Sequence, residues 1–407
     1  MDTHRTVEQV ARDSYGRLLA FLSLRSRDVA AAEDALSDAF HIALETWPRA
    51  GVPDKPEAWL LVAARRRLLD SARHVRVHSQ AVPELTAAAE EARKLVSTGA
   101  AFPDERLQLL FICAHPAIDA AVRTPLMLQA VLGLDAARIA SAFLVRPSAM
   151  GQRLSRAKAK IRDARIRFEI PEARELPPRL NAVLEAIYAA YGSGWEDVSG
   201  ADSRRKGLAR EAIDLGRLLL QLMPVEPEVL GLLALMLYCE ARRDARRTAG
   251  GAYVPLSQQN AECWSKTMIN QADRHLSAAG DASHIGPFQL EAAIQAVHAH
   301  RATSGKTDWE AIAVLYEALV RLAPTIGALV GRAAAVAESL GASAGWALLE
   351  ALPAGAVQSY QPYWALAAHL LRRMERSEEA AAAYSNAIGL CEDSAVRDFL
   401  IETDARA

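Results

Sequence analysis

Cysteine is scarce. Only Cys113, Cys239, Cys263 and Cys391 occur in 407 residues, widely scattered and with no C-x-x-C pair. That spacing excludes a disulfide framework and a zinc ribbon. Cys113 and His115 in ICAHP could supply two metal ligands, but no second pair at zinc spacing accompanies them. Pro116 reads instead as the stop of a helix. Long apolar runs are also missing: the longest, Val229 to Cys239, falls well short of the roughly 20 residues a membrane helix needs. The segment MDTHRTVEQVARD is charged and has no apolar signal core, which predicts a cytoplasmic location. No Gly-rich phosphate loop, G-x-S-x-G or H-E-x-x-H occurs. His275, His284, His298, His300 and His369 are spread without a nucleophile or ligand pattern. No catalytic residue, metal or cofactor is therefore expected. Otherwise the composition is that of a globular protein, 51% hydrophobic and 24% charged, long enough for two or three domains at roughly 150 residues each.

Neither sign of charge dominates the whole, yet the two parts differ. Residues 1–170 hold 25 Lys and Arg against 20 Asp and Glu, and the remainder 22 against 29. A basic front and an acidic rear suggest modules with different partners. The basic charge is concentrated in two strips. One holds Arg65, Arg66, Arg67, Arg73 and Arg76; the other holds Arg153, Arg156, Lys158, Lys160, Arg162, Arg165 and Arg167. Such strips suit a phosphate-tracking surface, because each neutralised phosphate releases counterions. A solvated helix face is the plainer alternative for either strip alone.

β-branched runs are short, whereas Ala, Leu, Glu and Arg dominate and apolar residues recur at three and four, so the expected class is all-α. From Val29 to Trp47, Ala32, Ala35, Leu36, Ala39, Phe40, Ala43, Leu44 and Trp47 form one stripe, with Glu33, Asp34, Asp38 and Glu45 off it. Pro48, Gly51, Pro53 and Pro56 then predict a break. A second helix is expected from about Glu57 to His74, with the arginine triplet in its middle. Periodicity fades over 75–103, which reads as a linker with one short helix from Glu84 to Val96. Beyond it, LDAARIASAF, the break LVRPS and AMGQRLSRAKAKIRDAR predict a short helix, a turn, and a second helix starting at a Ser cap with basic residues down one side. This is the helix-turn-helix pattern, in which early side chains of the second helix reach base edges. An ordinary helical hairpin fits the same segment.

The order AAEDALSDAFHIALETW, PEAWLLVAARRRLLDSARH, a linker, and LDAARIASAFLVRPSAMGQRLSRAKAKIR resembles domains 2 and 4 of an extracytoplasmic-function (ECF) RNA polymerase sigma factor. ERLQLLFICAHPAI and RIRFEIP resemble the ECF subgroup with a long C-terminal helical, TPR-like extension. The resemblance implies domain 2 over 1–76, a linker over 77–103, domain 4 over 104–170 and a regulatory helical domain over 171–407. It also implies a non-enzymatic factor that binds core RNA polymerase and promoter DNA, needs no cofactor, spans no membrane and makes intramolecular contact between its extension and its sigma domains. Glu33, Asp34 and Asp38 would dock on the polymerase clamp, and Trp59, Arg65, Arg66, Arg67 and Arg73 would face the -10 element. Ser148, Gln152, Arg153, Ser155, Arg156 and Lys160 would face the -35 element. Gln pairs with adenine and Arg with guanine at roughly 1–3 kcal/mol of discrimination each. Three positions depart from the family pattern: Ser37, Arg66 where an Asn is frequent, and Gly151 where a long basic residue is common. Gly151 and the long acidic extension leave open a helical scaffold or DNA-binding regulator that keeps the sigma fold without initiating transcription.

IPEARELPPRL is proline-rich and reads as an interdomain joint. Beyond it, LAREAIDLGRLLLQLMP and DWEAIAVLYEALVRLAP each end in proline, and YWALAAHLLRRMERSEEAAAAYSNAIGL resembles a single tetratricopeptide unit. Solenoid-like packing is expected, with an irregular helical bundle as the alternative. Tyr188, Tyr191 and Trp195 are candidate pocket-lining residues.

Overall fold

The computed structural model describes residues 3–74, 104–143, 145–195, 207–281 and 284–405. It bears out the all-α class: the described residues are helical nearly throughout, with one isolated β-bridge between Arg247 and Tyr253. The expected helix from Glu84 to Val96 lies outside the described residues. The chain forms two compact units, Met1–Ser193 with Gly207–Leu215, and Gly194–Lys206 with Gly216–Ala407.

In the first unit, α1 (Thr3–Ser26), α2 (Val29–Ala50) and α3 (Pro56–His74) pack on one another. Leu18 to Ser23 are all buried, so α1 is apolar around its whole circumference there. A helix of that kind must be covered on more than one side. The second cover comes from α4 (Arg106–Cys113) and α5 (Ala120–Leu132). Gly16 makes this possible: a Cβ there would stand 1.9 Å from the Val131 carbonyl oxygen of α5. Gly133 closes α5 with φ +66° beside the Tyr15 ring, a conformation and a space that both favour glycine.

α2 starts where Asp28 accepts the N–H groups of Ala30 and Ala31 at 3.0 and 3.1 Å. Its buried stripe, Val29, Ala32, Ala35, Leu36, Ala39, Ala43 and Trp47, follows the apolar periodicity of the sequence. Pro48 does not stop the helix, which continues to Ala50 before Gly51 caps it. So near the C-terminus, proline forfeits one bond without breaking the helix.

The unit continues through α6 (Ala136–Ala142), α7 (Pro147–Asp163) and α8 (Pro177–Trp195), and takes in the first half of α9 (Leu208–Leu222). Leu180, Val183, Leu184, Ala186, Ile187, Ala190 and Tyr191 of α8 are buried, and Arg179 Nη1 donates to the Phe111 carbonyl of α4 at 3.2 Å.

In the second unit, after the rest of α9, comes α10 (Pro227–Glu240), the longest apolar stretch of the sequence, buried from Val229 to Tyr238 as a core helix. α11 (Lys266–Gly280) and α12 (Pro287–Ser304) pack on α10, and α13 (Trp309–Leu322) on α12. α14 (Ile326–Leu340), α15 (Ala342–Glu350), α16 (Ala354–Val357), α17 (Gln361–Arg373), α18 (Ser377–Gly389) and α19 (Ser394–Ala405) follow. Most contacts join a helix to its sequence neighbours. Their small residues, Ala333, Ala337, Ala367, Ala368, Ala380, Ala383 and Ala387, let the helices approach closely around Leu349, Leu370, Leu371 and Tyr384.

Candidate functional site

α7 buries Met150, Leu154, Ala157 and Ile161, spaced three and four apart. That spacing fixes which side chains point away. Ser148, Gln152, Arg153, Ser155, Arg156 and Lys160 are all exposed, so the structure gathers the six onto the outer side of one helix. Arg156 Nε donates to the Gln152 carbonyl at 3.3 Å, one turn back. The start of the helix differs from expectation: Pro147 is its first residue, with Arg146 at the cap, and Ser148 lies inside the first turn. The fixed φ of proline at that position preorganises the helix without a serine cap.

The acidic residues of α2 divide. Asp34 and Asp38 are exposed, whereas Glu33 turns toward α7 and pairs with Lys158. One turn further along α7, Arg162 Nη1 lies 3.8 Å from Asp28 Oδ2, the carboxylate that caps α2. Two cations of the α7 strip, the partly buried Lys158 and the exposed Arg162, are thus paired with carboxylates of α2 and its cap. Tyr15 lies beneath the same place, its hydroxyl pKa raised by burial and then by the charges of Glu33 and Asp34.

On α3, Arg66 and Arg67 are exposed, and Arg67 Nε pairs with Asp38 Oδ2 at 3.0 Å. Arg65 is only 4% exposed. Its assignment to a surface strip is therefore corrected: the position falls on the inner side of α3 with Ala64 and Leu68. Trp59 is half-buried and meets Trp47 edge-to-face at 5.4 Å between centroids, a core contact. Arg73 stands on the last turn of α3, where side chains lie outside the described residues, as does that of Trp195.

Ion pairs tie α1 to the start of α4, and α4 to α9. Arg25 Nη1 meets Glu105 Oε2 at 2.5 Å. Arg106, almost wholly buried, donates to Asp104 Oδ2 and to Glu211 Oε1, each at 2.6 Å. Burial alone would raise both carboxyl pKa values. At Asp104 the bonds and charge of Arg106 outweigh it and the pKa falls, whereas at the more deeply buried Glu211 desolvation wins and the pKa rises. No local periodicity foretells Arg25–Glu105 or Arg106–Glu211, since those partners lie far apart in sequence. Cys113 is fully buried and its thiol is pushed up to about 12 by that burial, despite the opposing charge of Lys158. It packs as a core residue.

Comparison with known proteins places names on these segments. Residues 10–77, covering most of α1 and all of α2 and α3, match the family described as Sigma-70 region 2. Residues 179–280 match a family of unknown function, DUF6596. An uncharacterized protein of Rhizobium meliloti (strain 1021) is 39% identical over 368 residues, covering 89% of this chain and 87% of its own length. No solved structure matches. Among the described residues no helix is long and apolar enough to cross a membrane.

Proposed function

The chain belongs to the same family as the Rhizobium meliloti protein and contains a sigma-70 region 2, and from that premise we propose that it is an ECF-type RNA polymerase sigma factor with a fused regulatory C-terminal domain. The observation that carries this reading is the region 2 match over 10–77, because it falls on the three-helix group bearing the exposed acidic residues of α2 and the exposed arginines of α3. A sigma factor breaks no covalent bond; it positions core polymerase on a promoter and helps to open it. In this role α2 presents Asp34 and Asp38 to the polymerase clamp, joined by Glu33 when Lys158 releases it. Arg66, Arg67 and Arg73 follow the backbone at the -10 element, and Trp59 serves by packing on Trp47.

α6 and α7 act as the helix-turn-helix of domain 4. Gln152, Ser155 and Arg156 read -35 bases, while Ser148, Arg153 and Lys160 hold phosphates. Since α7 also holds Glu33, full presentation of α2 requires α7 to move away from it. The C-terminal part acts on this arrangement through α8 and the start of α9, which complete the interior of the first unit. The TPR-like reading of the remaining helices is supported by their neighbour-to-neighbour packing. A cytoplasmic location follows from the same role.

Run-off transcription with purified core polymerase on a genome-derived promoter pool tests the proposal. Transcripts that require both the chain and core enzyme, with stoichiometric binding between them, are expected. Binding to DNA without binding to core polymerase would instead make the chain a DNA-binding regulator, and binding to neither a helical scaffold.

A further inference from the structure

In the second unit α12 carries Gln295, His298 and Arg301 at three-residue spacing, which places them along one side of the helix. The chain leaving α10 brings Arg242 to that side. Arg242 is 7% exposed, and its Nη2 donates to Gln295 Oε1 and to the Cys239 sulfur. Arg301 donates to the carbonyls of Ser257 and Gln259, both at 3.0 Å, and its guanidinium lies over the Trp264 ring at 5.0 Å from the centroid. Every acceptor named here is neutral. Among the described residues no carboxylate forms an ion pair with Arg242 or Arg301; of the two acids flanking Arg242 at two residues, Glu240 and Asp244, the first is paired with Arg243.

Two further groups around Arg301 are unspent. Trp264 is 3% exposed, and its indole N–H has no hydrogen-bond partner among the described residues. The Oε1 of buried Gln259 has none either. His298 packs edge-to-face on Trp309 at 5.4 Å, and its pKa is lowered to about 4 by burial and then by the charges of Arg242 and Arg301. Gln295, His298, Arg301 and Trp309 each retain partial exposure, whereas Arg242 and Trp264 are buried.

A buried guanidinium without a counter-charge is costly, and a second cation close by adds to that cost. An oxyanion removes both terms at once, because its oxygens match the guanidinium fork and accept from a spare indole N–H. We propose that Arg242 and Arg301, with Gln295, His298 and Trp264, form a binding site for the oxyanion of a small molecule, phosphoryl or carboxylate. This site is built from residues apart from those assigned to polymerase or DNA, and its assignment stands whether or not the sigma reading holds.

The test uses the full chain at constant ionic strength in chloride, titrated separately with inorganic phosphate and with acetate. Binding heat and the NMR titration of the His298 ring are followed together. We expect one of the two anions to bind once per chain and to raise the His298 pKa, since a neighbouring negative charge favours imidazolium; which anion does so assigns the class. Arg301→Gln keeps a donor for the two carbonyls at a half-exposed position, so it preserves the fold as checked by its melting curve. It should weaken binding at least tenfold and abolish the His298 response. Absence of any response to either anion in the native chain overturns the proposal, as does a response that survives Arg301→Gln.

Discussion

Arg156 and Lys158 are two positions apart on α7 and face opposite ways, one into solvent and the other against Glu33. Arg156→Ala should therefore relax -35 selection by about 1–3 kcal/mol, the range for an arginine reading a base edge, and leave core polymerase binding intact. Competition run-off between matched and -35-altered promoters measures this, and a loss of core binding would remove Arg156 from that role. Asp34→Ala should do the reverse, weakening core binding in a pull-down while the melting temperature stays within a few degrees. The outward face of α7 was legible because four apolar residues at helical spacing leave the six polar positions only one side to occupy. The inward turn of Lys158 was not, because its partner lies 125 residues away. The arginine triplet was misread at Arg65 for a related reason: charge alone does not say which of three consecutive residues faces the interior.

His298 carries its own pH signature. Its pKa falls from the ordinary 6.5 to about 4 in the folded chain, so between those values the unfolded state binds the proton more readily. Stability from this group is complete above about pH 6.5 and is lost as pH falls toward 4, by up to roughly 3 kcal/mol and less where solvent screens the ring. In phosphate-free buffer, His298→Gln should flatten the decline in urea-unfolding free energy across that window. A variant as acid-sensitive as the native chain would assign the decline to other groups.

Between elements, the seam of α1–α3 with α4, α5 and α7 rests on a close backbone approach and a few ion pairs. Gly16→Ala forces a methyl against the Val131 carbonyl, and since the obstacle is backbone, relief requires α1 and α5 to separate. Overpacking of this kind costs about 1–3 kcal/mol, readable by urea unfolding; an unchanged midpoint would mean that the two helices do not approach so closely. Lys158→Glu sets like charges together at Glu33. It should lower stability and, by loosening α7 from α2, increase core polymerase binding. The swapped pair Glu33→Lys with Lys158→Glu should recover stability, and a double-mutant cycle isolates the coupling between the two. Helices themselves were readable from period and composition, with Pro48 as an exception because a proline in the final turn sacrifices little. Their partners were not, since periodicity reveals that a face is buried but not what buries it.

At the scale of the molecule, the sharp change in composition near Pro171 does not coincide with the end of the first compact unit, which extends through Ser193 and takes in Gly207–Leu215. A proline-rich joint marks where local helix structure pauses, and packing across it is set by the apolar face of the next helix. α8 has such a face: Leu180, Val183, Leu184, Ile187 and Tyr191 are buried. At about 1.5–3 kcal/mol for each large side chain, their removal would rival the 5–15 kcal/mol that holds a whole domain together. It would also free the Phe111 carbonyl of α4, to which Arg179 donates, and Arg106 would keep Asp104 but lose Glu211. A fragment of residues 1–170 should therefore melt at a much lower temperature than the full chain, or without cooperativity, while residues 1–222 should regain a cooperative transition. If 1–170 melts cooperatively within a few degrees of 1–222, α8 is dispensable to the first unit, and any loss of transcription on truncation must be sought in regulation. If it does not, silence of 1–170 in a transcription assay reports a missing piece of the core, and the regulatory role of the C-terminal part has to be tested by substitutions that leave α8 and Glu211 in place.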